Sequence, residues 1–162
     1  MIGGVRFGGT LTIEGAFTHG FDHIAYCAGA GRPTYIDMPN ALARGVRMAS
    51  DFLMALQLTG AAREASIANL QLRLPAVVIG GGLTAIDTAT EALAYYPVQV
   101  EKFLSRFEAL AAEQGENAVR AGWSAEEQEV GDTFLNHGRA IRVERTAAQD
   151  EGRESDVLGL MK

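Results

Sequence analysis

Leu74-Pro75-Ala76-Val77-Val78-Ile79-Gly80-Gly81-Gly82-Leu83-Thr84-Ala85-Ile86-Asp87 is the stretch on which the fold depends. A β-branched run, Val77-Val78-Ile79, breaks into three glycines, and a helical pattern follows at once. An apolar run without polar alternation reads as a strand buried on both faces, as inside a parallel sheet. Gly80, Gly82 and Ala85 then fit G-x-G-x-x-A, a variant of the dinucleotide-binding fingerprint. Gly80 permits a tight turn, Gly82 lets a pyrophosphate approach the backbone, and Ala85 lets the helix pack down on the strand. The N–H groups near Gly81, Leu83 and Thr84 would meet the phosphates at a helix N-terminus. The plain alternative is a tight strand-to-helix turn that binds nothing. No Gly-Lys-Ser/Thr ending follows, so a P-loop is not supported.

Moving outward, the helix after the glycines would present Ile86, Ala89 and Leu93 as its packing stripe, with Pro97 as a terminator or a new start. Val98, Val100 and Phe103 could begin a second Rossmann strand, with Glu101 at the ribose-reading distance. Val100, Phe103, Leu104, Phe107, Leu110 and Ala111 instead follow helical spacing, and helix is the reading preferred. Ser124 and Glu127 form a capping box for a further helix, with Val130, Phe134, His137 and Ile141 on one face. His137 there reads as a packed histidine, with no second ligand at metal spacing. Asp87 is placed in the first helical turn, in a structural role.

Toward the N-terminus, short strands are expected around Val5–Ile13 and over Phe21–Ala28, with a helical turn over Glu14–His19. The second strand stops at Gly29-Ala30-Gly31-Arg32-Pro33, another place where backbone could approach a ligand, although a plain glycine turn is the reading preferred locally. A helix is expected from about Val46 to Thr59, stopped by Gly60, and residues 61 to 73 read as polar and irregular.

The chain has 162 residues, 48% hydrophobic and 21% charged, with net charge −6. That balance suits a globular domain and argues against a broad nucleic-acid surface. No apolar run is long enough for a membrane span, and one cysteine, Cys27, excludes an internal disulfide. A cytoplasmic setting is the simplest expectation.

Phe21-Asp22-His23-Ile24-Ala25-Tyr26-Cys27-Ala28-Gly29-Ala30 resembles the flavin-side segment of the two-dinucleotide-binding-domain flavoproteins. Gly80 to Asp87 resembles the NAD(P)H fingerprint of the branch around the glutamate synthase small subunit. Further stretches, Leu42–Val46, Ser50–Leu53 and Thr90–Pro97, are similar to bacterial FAD-dependent pyridine nucleotide-disulfide oxidoreductases. The resemblance implies an α/β fold: a partial Rossmann-like NAD(P)-binding domain, the end of an FAD-binding domain, and a long helical insertion. Residues 1–39 would close the FAD lobe, 40–96 would begin the NAD(P) unit, and 97–162 would form the insertion and tail. It implies a fragment of an oxidoreductase moving hydride between NAD(P)H and FAD, inactive alone. Gly80, Gly81, Gly82, Leu83, Thr84 and Ala85 would hold NAD(P)H, and Gly29 and Ala30 would lie against the flavin. An electron-acceptor subunit or the rest of the flavoprotein would be its partner.

The chain departs from that family at Leu83, where Asn is usual, and lacks the upstream G-x-G-x-x-G and the iron–sulfur cysteines. Two readings of other classes stand beside it. One is a non-catalytic module that binds a dinucleotide or completes its fold with a partner chain. The other is a methyltransferase, which also uses a glycine-rich strand-to-helix turn.

Overall fold

Ser124 starts the longest well-capped helix for a local reason. Its side chain accepts a hydrogen bond from the Glu127 N–H at 3.3 Å, and the Glu127 carboxylate accepts from the Ser124 N–H at 2.7 Å. A computed structural model describes residues 3–29, 31, 33 and 35–161. Its helices are α1 Ile13–Thr18, α2 Ala49–Leu58, α3 Leu83–Gln114, α4 Glu116–Arg120 and α5 Ala125–Glu151, with a 3-10 turn at Gly159–Met161. The chain divides into two units, residues 1–36 and 37–162.

The first unit holds α1, capped by the Thr12 hydroxyl, which accepts from the Gly15 N–H at 3.0 Å. The strands expected at Val5–Ile13 and Phe21–Ala28 are absent; an isolated bridge joins Phe7 and Leu11. Phe7 also packs on Tyr26 at 5.6 Å. Isolated short strands have no sheet to join, and two alone would be marginal in water.

The second unit is organised by α3 against α5. Tyr96 and Val100 of α3 pack with Val130, Phe134 and Ile141 of α5. Leu104 and Phe107 pack with Leu135. Gly138 marks the closest approach: a Cβ there would lie 2.9 Å from the Val100 carbonyl oxygen. At the other end, α2 brings Phe52 and Leu56 onto Ala92 and Tyr95. α3 runs through Pro97 without interruption, so the expected break there is a correction. Pro97 removes the bond to the Leu93 carbonyl. Leu93 is 51% exposed, so that carbonyl is not sealed in the core. The packing stripe of α3 also differs from expectation. Ala92, Tyr95, Tyr96 and Gln99 are buried, while Ile86 and Leu93 face out.

The expected α/β, Rossmann-like class is overturned: among the described residues there is no sheet. Val77, Val78 and Ile79 belong to no helix or strand, and Val77 is 85% exposed. Local composition made the strand reading; a sheet also needs a second strand, and none comes from elsewhere in the described chain.

α5 ends at Gly152 in left-handed backbone, φ 66°. Just beyond, Arg153 turns back onto Glu144, its Nη1 2.5 Å from Oε1, and the Asp156 N–H donates to the same oxygen at 2.8 Å. These donors, Arg153 first, hold the Glu144 carboxyl down from 4.5 to about 2. The depressed value means the clasp is intact above about pH 4.5 and is lost as pH falls toward 2. An NMR titration of Glu144 Cδ should show its midpoint near 2, with Arg153 resonances shifting in step.

Candidate functional site

Each residue of the proposed cofactor turn has a definite place. Gly80 has φ 152°, and a Cβ on it would lie 3.0 Å from the Ala85 Cβ. Gly81 and Gly82 open to solvent, with nothing within 4 Å of an added Cβ. Gly82 caps α3 without a side-chain bond, and its carbonyl accepts from the N–H groups of Ala85 and Ile86 at 3.0 and 3.2 Å. Leu83 is 81% exposed, and the Thr84 carbonyl accepts from the Thr88 hydroxyl at 2.7 Å. The turn thus gathers Gly80 to Ala85 at one helix start, but no sheet or second wall encloses it. Two clefts of about 440 and 570 Å3 lie elsewhere, along the second half of α3. Helix α3 begins at Leu83 and has no acid in its first turn, so Asp87 falls in the second. Gly29 lies in the first unit with φ 65° and open space around it. Ala30 lies outside the described residues. Glu101 is on α3 and pairs with Arg145 of α5 at 2.9 Å.

The side chains that do converge were not foreseen. They lie on α3 and grip the backbone of the segment that precedes it. Tyr95 accepts from the Leu70 N–H at 3.0 Å. Gln99 takes the Leu72 N–H at 2.7 Å and donates to the Leu72 carbonyl at 2.9 Å, as a neighbouring strand would. Lys102 donates to the carbonyls of Ala61 and Ala68 at 2.8 and 3.2 Å. Arg106 donates to the Ser66 carbonyl at 2.5 Å. These four sit at i, i+4, i+7 and i+11, one stripe of a helix. Burial, then the nearby Arg106 charge, lowers the pKa of Lys102.

Residues 66–74 answer that stripe. Ser66, Ala68, Leu70, Leu72 and Leu74 are half-buried, whereas Ile67, Asn69, Gln71 and Arg73 are exposed. Ala68, Leu70 and Leu72 lie on the α2–α3 core, and Leu72 and Leu74 on the α3–α5 core. This is the period-2 pattern of a half-buried strand. The signal was present in the alternation of Ala68, Leu70, Leu72 and Leu74 with Asn69, Gln71 and Arg73.

His137 is half-buried and bonds the Tyr96 hydroxyl through Nδ1 at 2.7 Å. Burial pushes the Tyr96 hydroxyl up to about 12. No group of three His, Cys, Asp or Glu side chains suited to a metal occurs among the described residues. Beside the stripe, the smaller cleft has a floor of Phe103, Phe107 and Trp123. Arg120 lies 5.2 Å over Phe107 and 5.3 Å over Trp123 while pairing with Asp132 at 2.7 Å. Its guanidinium is thus held by both aromatic faces and a carboxylate.

No protein-family model matches the chain, and no solved structure matches it. A search of curated proteins finds an uncharacterized protein, RP006, of Rickettsia prowazekii (strain Madrid E), 41% identical over 139 residues. The match covers 86% of this chain and 18% of the relative, so the chain spans under a fifth of that protein's length. These findings overturn the flavoprotein resemblance. The relative carries no assigned activity, and the described residues form helices without the parallel sheet on which a Rossmann-type FAD oxidoreductase depends. The oxidoreductase, FAD and Rossmann assignments fall with it. No helix among the described residues is long and apolar enough to cross a membrane.

Proposed function

We propose that the chain is a non-catalytic helical interaction module that completes its fold against partner polypeptide. One observation carries the reading. The arm before α3 and the outer face of its first turns form a consecutive apolar surface with no cover among the described residues: Val77 is 85% exposed, Ile79 61%, Leu83 81%, Ile86 55% and Leu93 51%. Residues that would be costly to leave in water in such a run mark a contact surface. That the matched stretch occupies only 18% of a longer relative supports the reading, because such a surface there has further polypeptide to pack on. The exposed thiol of Cys27 suits the cytoplasm, where we place the module.

A photoreactive phenylalanine analogue at Ile79 tests it in cells of the source organism. A recurring adduct to one polypeptide, abolished by Val77→Asp with helix content unchanged, is the expected result. Adducts no different from those at exposed Asp150 would contradict it. Titration with NADPH and FAD separates this reading from a nucleotide-binding one: a surface working through apolar contact gives no saturable signal with either.

A further inference from the structure

We propose that Ile67, Asn69, Gln71 and Arg73 form an open β edge that pairs, antiparallel, with the same edge of a second copy of this chain. The proposal rests on the module reading and names one partner for it, at a surface separate from the apolar arm. In an extended chain the N–H and C=O groups of alternate residues point to opposite edges. One edge here is largely satisfied: both backbone groups of Ala68 and Leu72 and the N–H of Leu70 are held by Ser66, Tyr95, Gln99 and Lys102. The backbone N–H and C=O groups of Ile67, Asn69, Gln71 and Arg73 bond no other described residue. The open groups alternate with those that α3 grips, and no flanking strand among the described residues covers them.

Self-pairing follows from the register. A twofold axis at Leu70 sets Ile67 opposite the partner's Arg73 and Asn69 opposite the partner's Gln71. Both are pairs of open residues, and in an antiparallel ladder such pairs exchange both of their N–H···O bonds. The side chains agree. The aliphatic stem of the partner's Arg73 covers Ile67, which is 94% exposed, and the two amides can bond each other. No like charges meet across the seam, and Arg73 is already balanced by Glu126 and Glu129 of its own chain, at 3.4 and 3.6 Å. The contact is isologous, so it closes at two copies and leaves no edge for further growth.

Sedimentation equilibrium and residue-resolved amide exchange on the full chain test this at about 10 µM and about 1 mM. The expected result is a dimer at the higher concentration. Exchange at residues 67, 69, 71 and 73 should slow at least about tenfold with concentration, while Leu70 and Leu72 are protected at both. Gln71→Pro, which removes one open N–H, should weaken association at least about tenfold, and Gln71→Ala should not. A monomer at about 1 mM with these four amides unprotected overturns the proposal, as does a dimer in which they exchange freely. Protection of the four only in complex with a different protein overturns it as well. Neither failure touches the Ile79 cross-link, which decides the module reading by itself.

Discussion

Gly138→Val is expected to destabilise the chain by about 3 kcal/mol, at the upper end of what overpacking a close contact costs. Even the first added carbon would sit 2.9 Å from the Val100 carbonyl oxygen and 3.1 Å from the Leu104 Cβ. The nearest atom is backbone, so relief requires α5 to move off α3 and opens the contacts of Leu104, Leu135 and Ile141, all at most 1% exposed. Urea unfolding measures the loss as a lower midpoint with little change in slope. Gly122→Ala is the control. Nothing lies within 4 Å of its added carbon, and the change should stay within about 0.5 kcal/mol. A Gly138→Val variant as stable as the parent would mean that α3 and α5 do not cross there.

Gln99→Leu is expected to cost about 2 to 4 kcal/mol, although it exchanges a polar side chain for an apolar one of similar size. Gln99 is 1% exposed and supplies both the acceptor for the Leu72 N–H and the donor for its carbonyl. Leucine leaves both groups half-buried and unpaired, which is dearer than the loss of the bonds themselves. The signature that separates this from a general packing defect is local: the Leu72 amide should exchange faster than its neighbours in α3. A change below about 0.5 kcal/mol would show that water serves Leu72 as well as Gln99 does.

What the sequence disclosed was what neighbouring residues settle between themselves. Ser124 and Glu127 announce the start of α5 because each satisfies the other within one turn. Gly20, with φ 88°, follows the short helix α1 that the sequence placed near Glu14–His19, and Gly60, with φ 61°, stops α2. The Val100–Ala111 stripe was legible as helix because its period is unambiguous. Long-range facts were not. Val77, Val78 and Ile79 have the composition of a buried strand, and the glycines after them make the expected bend. Burial and pairing, however, depend on residues far along the chain, and local pattern cannot supply them. Pro97 misled in the opposite sense, since a missing N–H ends a helix only when tertiary packing does not carry it through; here Tyr95, Tyr96, Gln99 and Val100 are buried on both sides of it. The grip on residues 66–74 was hidden for a different reason. Tyr95, Gln99, Lys102 and Arg106 look like the polar residues of any helix until the chain that they hold is laid beside them.

The most direct measurement is residue-resolved amide exchange, with nuclear Overhauser contacts, across residues 66–82 of the dilute chain. Val77, Val78 and Ile79 are expected to exchange as in an unstructured peptide and to show no cross-strand contact, while Leu70 and Leu72 are protected and lie close to Tyr95 and Gln99. Slow exchange at Val77 to Ile79 with cross-strand contacts to another part of the chain would contradict a helical fold with no sheet among the described residues.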